Sequence, residues 1–234
     1  MNIKNVIFGM MTALVLTTTG FAADLSKEVI TPSAKLNGNC SGTLVYSDRD
    51  KDTGEVKSVL LTAKHCVDGS DGYRMKVEFP VFQGHSTVGE KTFYGKILGK
   101  SYKSDLALVE LDDKNTYFND VAKVAPSDYK ATIGDDVIVV GNPLGVHISI
   151  SKGVYGGNQK IATMPELLHV NANIIGGNSG GAAFKVDEDI YKIIGVTCCG
   201  WSKAPWVGYY TPAEDINEYL KVALPKLYEK KKVD

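Results

Sequence analysis

Between residues 36 and 211 the apolar positions fall in short runs rich in Val, Ile, Leu, Thr and Tyr, broken at close intervals by turn residues. Representative runs are 42–46, 59–63, 75–82, 106–111, 137–140, 147–150 and 193–198. Runs of this length without long amphipathic helices between them predict antiparallel sheet or barrel, an all-β fold rather than βαβ units. The stretch 115–130 is polar, contains Pro126 and carries no sustained period, so it is the expected connection between two halves of similar size.

Only the C-terminal end predicts a helix, over about 212–229. Thr211 supplies a capping hydroxyl, Pro212 a first-turn proline and Glu214 an acid three positions after the cap. Ile216, Tyr219, Leu220 and Ala223 then recur at helical spacing and define one face for packing. The run Lys230, Lys231, Lys232 reads as a solvated terminus.

Residues 1–23 change the picture of where the chain works. Lys4 precedes an apolar run from Val6 to Leu16, and small residues follow, ending at Ala22 and Ala23. That is the layout of a secretory leader cleaved after Ala22 or Ala23, and the run is shorter than the roughly 20 residues that span a bilayer. Residues 24–234 are left as the folded domain. The full chain carries 26 basic and 27 acidic side chains, net −1. Removing Lys4 leaves a net −2, which provides no field for holding nucleic acid or an anionic membrane.

Export to an oxidising compartment permits the four cysteines, Cys40, Cys66, Cys198 and Cys199, to pair in three ways. Cys198 and Cys199 are adjacent and would bond to each other only with strain, which favours Cys40 with Cys66. That bridge would stabilise the fold by roughly 3 kcal/mol through chain entropy. His85, His147 and His169 lack metal-ligand spacing and no C-x-x-C pair is present, so neither a metal nor a cofactor is assigned. Asp48, Asp50 and Asp52 before Gly54 echo a calcium loop imperfectly and read as a hairpin tip.

Three segments carry chemistry. In Gly176-Gly177-Asn178-Ser179-Gly180-Gly181 a serine stands among glycines that let the backbone turn its N–H groups toward a developing oxyanion. In Leu61-Thr62-Ala63-Lys64-His65-Cys66 a histidine follows a strand, and a neutral imidazole suits removal of a hydroxyl proton. In Ser104-Asp105-Leu106-Ala107-Leu108 an acid opens an apolar strand, where a half-buried carboxylate needs a partner such as an imidazole N–H. Each alone has a plain structural reading: a Gly-Ser turn, a surface histidine, a turn-capping aspartate. Their order His, Asp, Ser, separated by 40 and 74 positions, makes chance agreement improbable.

Taken together, these segments resemble the chymotrypsin-like serine proteases, nearest to the bacterial HtrA/Deg group. GNPLG at 141–145, IIGVTCCGW at 193–201 and GYYTP at 208–212 extend the likeness over most of the chain. The resemblance implies two antiparallel six-stranded β-barrels, about 36–120 and about 130–211, followed by the C-terminal helix. It implies Ser179 as nucleophile, His65 as general base and later acid, Asp105 as the group orienting His65, and the Gly177 and Ser179 amides as oxyanion hole. It also places Cys40 and Cys66 as the disulfide bracketing the histidine.

The same likeness puts Asn173 and Ile174 at the base of the first substrate pocket, Cys198, Cys199 and Gly200 along one wall, and Gly208 near the other. No charged residue matches the base, which implies a neutral aliphatic or aromatic residue before the scissile bond. Asn178 stands where digestive relatives carry the aspartate that binds a newly cut N-terminus, so no activation step beyond leader removal is expected. A PDZ domain does not fit in a chain of this length. The expected partners are protein or peptide substrates and protein inhibitors, in the periplasm or outside the cell. A catalytically silent binding module of the same fold is the alternative function. An esterase would require the G-x-S-x-G elbow to sit between a strand and a helix of an α/β fold, and the alternating long helices of such a fold do not appear in the sequence.

Overall fold

The computed structural model describes residues 23–225 except 85, 162, 163 and 188. All but the last residue of the expected leader, and the Lys230–Lys232 tail, lie outside the described residues. The first barrel closes in the order β1 (Ser33–Leu36), β2 (Cys40–Arg49), β3 (Val56–Thr62), β6 (Ala107–Leu111), β5 (Ser86–Lys100), β4 (Met75–Gln83) and back to β1. The connecting segment holds only the short β7 (Lys123–Val124), which runs parallel to β12 (Ile190–Trp201). The second barrel takes β8 (Asp136–Gly141), β9 (Ser149–Lys160), β10 (Glu166–Asn171), β13 (Ala204–Pro212), β12 and β11 (Ala182–Asp187), closed by the pairing of β11 with β8 and β12. The fold is thus two closed six-stranded antiparallel barrels and a C-terminal helix.

Burial explains why some strands read as unbroken apolar runs. In β6, Ala107, Val109 and Leu111 fill the first barrel with Leu44, Leu60 and Val77. Leu108 on the opposite face, with Leu106 just before the strand, joins Val59, Leu61, Val140, Phe184 and Ile193 in the layer between the barrels. A strand buried on both faces cannot alternate polar and apolar. Each fully buried Leu or Val contributes about 1.5–3 kcal/mol relative to exposure, so this shared layer holds the barrels in register. The second barrel has its own interior of Val137, Val139, Tyr155, Val170, Ile194 and Tyr210.

The helix α1 (Ala213–Ala223) seals that layer with Ile216 and Leu220, both wholly buried. Asn217 Nδ2 donates to the carbonyl of Ala125 at 2.8 Å and so ties the helix to the inter-barrel connection. The helix stops at Ala223 with Leu224 as C-cap, shorter than the expected 212–229. Its N-cap is Pro212 rather than Thr211, with no side-chain capping bond, and the buried Thr211 hydroxyl has no partner among the described residues.

Candidate active site

His65 sits on a single 3-10 turn, Lys64–Cys66, directly after β3. Asp105 precedes β6, the strand paired with β3, so the sheet itself brings the two residues together. Asp105 holds the histidine at two points. Its Oδ1 accepts the backbone N–H of His65 at 3.0 Å, and its Oδ2 lies 2.7 Å from His65 Nδ1. This arrangement places a proton on Nδ1 and turns the lone pair of Nε2 outward. The bond to Asp105 raises the pKa of His65 above its ordinary 6.5, against the opposing effect of burial, with the Asp105 charge and then Cys199 adding to the rise.

Ser179 lies in the loop between β10 and β11, and that loop is fastened to the first barrel. Its carbonyl accepts the Ser41 N–H at 2.7 Å, and the Cys66 sulfur packs 3.5 Å from that carbonyl, next to His65. The hydrogen bonds of the His65 side chain run to Asp105, and none joins its ring to the Ser179 hydroxyl in this conformation. Gly180 has φ +81°, and a Cβ there would stand 2.2 Å from Thr62 Oγ1 and 2.3 Å from the Ser41 carbonyl. Gly177 has φ +97°, and a Cβ would stand 2.2 Å from the Asn142 carbonyl. Both positions therefore need glycine for conformation and for closeness.

The GNPLG segment braces the same loop from behind. Leu144 N–H donates to the Gly176 carbonyl at 2.7 Å, and Leu144 itself adopts a left-handed φ of 55°. Within the loop, Asn178 N–H donates to Ile175, Gly181 N–H to Asn178 and Gly180 N–H to Thr197. The amides of Gly177 and Ser179 have no acceptor among the described residues, so they remain available to an external oxygen. Asn178 is buried, with its side chain against Gly141. The N-terminal segment is secured elsewhere, Glu28 accepting the N–H of Tyr191 at 2.7 Å.

Beside Ser179 opens a cavity of about 390 Å³ whose lining includes Ile174, Ile175, Thr197, Cys199, Gly200 and Pro205. Of the expected pocket residues, Ile174, Cys199 and Gly200 line it, as does Ser179. Asn173 is exposed and Cys198 is buried behind the wall. Gly208 lies behind Ile174, where a Cβ would be 2.7 Å from Ile174 Cγ1. Gly176, Trp201 and Ser202 also contribute, without any charged side chain. Pro205 is brought in by the Ile174 N–H, which donates to its carbonyl at 2.6 Å, a contact between the loop after β10 and strand β13 with no local sequence signal.

Cys40 and Cys66 are joined by a disulfide, which closes the loop leading to His65. The two sulfurs and the His65 ring form the one cluster of potential metal ligands among the described residues. Disulfide sulfurs offer no thiolate, so this cluster is accounted for without a metal. Cys198 and Cys199 are free thiols whose sulfurs approach to 2.9 Å. Sharing of a proton between them raises Cys198, further raised by burial, and lowers Cys199, which the nearby His65 lowers as well.

Residues 40–196 match the family described as a trypsin-like peptidase domain. A probable periplasmic serine protease, do/HhoA-like, from Haemophilus influenzae is 29% identical over 142 residues, covering 58% of this chain and 28% of that protein. An HtrA-like serine protease from Staphylococcus aureus is 27% identical over 224 residues, covering 90% of this chain and 26% of its own length. The chain therefore spans about a quarter of the curated relatives it matches. Among solved structures, an HtrA-type protease with a tripeptide aligns with TM-score 0.64 at 20% identity, over 85% of this chain and 62% of that one. An inactive form of Rv3671c from M. tuberculosis H37Rv aligns with TM-score 0.61 at 15% identity, over 85% of this chain and 89% of the other. At these identities the structural likeness speaks to the fold.

Proposed function

Because the chain belongs to the trypsin-like peptidase domain family, we propose that it is a serine endopeptidase acting outside the cytoplasm, in which Ser179 attacks the peptide carbonyl, His65 moves the proton and Asp105 orients His65. The observation that carries this reading is the two-point hold of Asp105 on His65, beside a cavity that Ser179 lines.

In the first half-reaction His65 Nε2 takes the Ser179 hydroxyl proton as Oγ bonds to the carbonyl carbon. The carbonyl oxygen, now negative, is received by the Gly177 and Ser179 amides, and a donor of this kind is worth about 3–4 kcal/mol in the transition state. His65 then gives its proton to the departing amine, leaving an acyl group on Ser179. Water, deprotonated by the same nitrogen, releases the acid. Asp105 keeps the proton on Nδ1 and stabilises the imidazolium between these steps. The Ser179–His65 hydrogen bond forms as substrate is seated, since such bonds are commonly long before that.

The cavity would take the side chain preceding the scissile bond. Its uncharged lining of Ile174, Ile175, Thr197, Gly200 and Pro205 supports a neutral residue there. The Cys40–Cys66 disulfide and the periplasmic relative support an extracytoplasmic location. The test is covalent labelling of the leader-cleaved protein by an organophosphonate. Wild type becomes labelled at Ser179 and loses hydrolysis of a protein substrate, while Ser179→Ala does neither. A wild-type protein that takes no label and cuts no substrate would leave the fold serving only as a binding module.

A further inference from the structure

In an unbroken strand neighbouring side chains point to opposite faces, so adjacent cysteines keep their sulfurs apart. Strand β12 is interrupted between Cys198 and its neighbours. Thr197 stands opposite Tyr210 and Cys199 opposite Tyr209, which leaves Cys198 as the extra residue of a β-bulge. The bulge turns both sulfurs together, to 2.9 Å, less than about 1 Å longer than a disulfide bond. The pair is graded in access: Cys198 is buried, whereas Cys199 is half-buried in the cavity wall beside Ser179.

We propose that Cys198 and Cys199 are a redox-modification site in the cavity wall, closed to a vicinal disulfide by exchange with an external disulfide, and that closure impairs substrate seating. Cys199, the accessible member, attacks one sulfur of the external disulfide as thiolate, forms a mixed disulfide and expels the first external thiolate. Cys198 gives its proton to solvent and attacks Cys199 Sγ, which breaks the mixed disulfide and expels the second. Two protein thiols are oxidised and one external disulfide is reduced to two thiols.

The effect on the cavity follows from chain geometry. Cα atoms joined by a trans peptide lie about 3.8 Å apart, whereas a relaxed disulfide needs roughly 4.4–6.8 Å. The Cys198–Cys199 backbone must therefore distort on closure. The next residue, Gly200, lines the same wall and pairs with Gly208 behind Ile174. A bond formed under such constraint is also more readily reduced, so the state is reversible. The effect on seating rests on the peptidase reading; the thiol chemistry does not.

Leader-cleaved wild type and Ser179→Ala are equilibrated in glutathione buffers of rising disulfide fraction, trapped with N-ethylmaleimide and mapped as peptides by mass. In both proteins Cys198 and Cys199 should lose alkylation together, in a peptide lighter by two hydrogens, while Cys40–Cys66 stays closed. Cys198→Ser should instead retain glutathione on Cys199. Oxidised wild type should hydrolyse a peptide substrate with a KM about tenfold higher, recovered on return to reducing buffer. Thiols that stay alkylatable throughout, or glutathione that persists on Cys199 of wild type, would overturn the vicinal bond. Unchanged KM in the oxidised protein would overturn the effect on seating. Absence of Ser179-dependent hydrolysis at every poise would instead remove the peptidase reading and the seating claim with it, while the peptide map still decides the bond.

Discussion

The Ser41 N–H donates to the Ser179 carbonyl at 2.7 Å, so a residue at the start of the first barrel fixes the loop of the second. The Ser41 side chain adds two further ties. Its hydroxyl donates to the Gly177 carbonyl at 2.8 Å and accepts the Asn142 N–H at 2.7 Å. Thr62 Oγ1, in turn, donates to the Ser41 carbonyl. The Ser179 loop is thereby held from both barrels, and the proposed function makes Ser41 a positioning residue for it.

Ser41→Ala should keep the fold but leave the buried Gly177 carbonyl and Asn142 N–H without that partner, a cost of about 2–4 kcal/mol in stability. Through the shifted Gly177 it should lower kcat by about tenfold or more with little change in KM. Equal kcat for mutant and wild type would deny Ser41 its positioning role.

The glycines of the loop should separate sharply. Gly180→Ala places a methyl against Thr62 Oγ1 and the Ser41 carbonyl at a left-handed φ, and should destabilise by about 3 kcal/mol or more. Gly176 has open space where a Cβ would stand, so Gly176→Ala should leave thermal stability nearly unchanged. Melting curves for the pair decide this, and equal losses would contradict the packing.

These ties show where sequence reasoning succeeds and stops. Strand β6 was legible because burial on both faces leaves a dense apolar run. Strand β5 was not: most of Ser86–Lys100 is solvent-facing and rich in Lys, Gly and Thr, so no alternation marks it. The run expected at 147–150 lies at the head of β9, whose continuation to Lys160 is masked in the same way by Gly and polar residues. His65, Asp105 and Ser179 were picked out by residue type in short segments, and the structure pairs His65 with Asp105. Ser41 carries no signal beyond following Cys40, because its role arises from contacts with residues more than a hundred positions away. Ile175 and Pro205 enter the cavity through the contact of the loop after β10 with β13, where the Ile174 N–H donates to the Pro205 carbonyl, which sequence spacing does not encode.

Replacing both Cys40 and Cys66 by Ser removes a cross-link spanning 26 positions. The loss should be about 3 kcal/mol, lowering Tm by roughly 6–12 °C for a chain of this size. A Tm within a degree of wild type would mean that barrel packing alone fixes the His65 turn.

Cleavage of a proteome-derived peptide mixture should map mainly to bonds after neutral residues, since no lysine, arginine, aspartate or glutamate lines the cavity. Burying an unpaired substrate charge against Ile174, Ile175 and Pro205 would cost binding energy that no partner returns. A cut-site profile dominated by Arg, Lys or Glu would refute the assignment of this cavity.

The rate profile should follow the protonation of His65. The imidazole must be neutral to accept the Ser179 proton, and its bond to Asp105 raises its pKa above 6.5. kcat/KM should therefore fall with decreasing pH through a midpoint above 6.5, not below it. Asp105→Asn removes the charge that raises the pKa and permits the wrong tautomer, so activity should drop by about ten-thousand-fold. Stability runs the other way: the charged His65–Asp105 pair contributes fully below the unfolded pKa and is lost as pH rises through the folded one. Titration of the His65 ring by NMR alongside kcat/KM tests both: a ring pKa below 6.5 would contradict the upward shift by Asp105, and activity that stays flat down to pH about 4 would exclude His65 as the base.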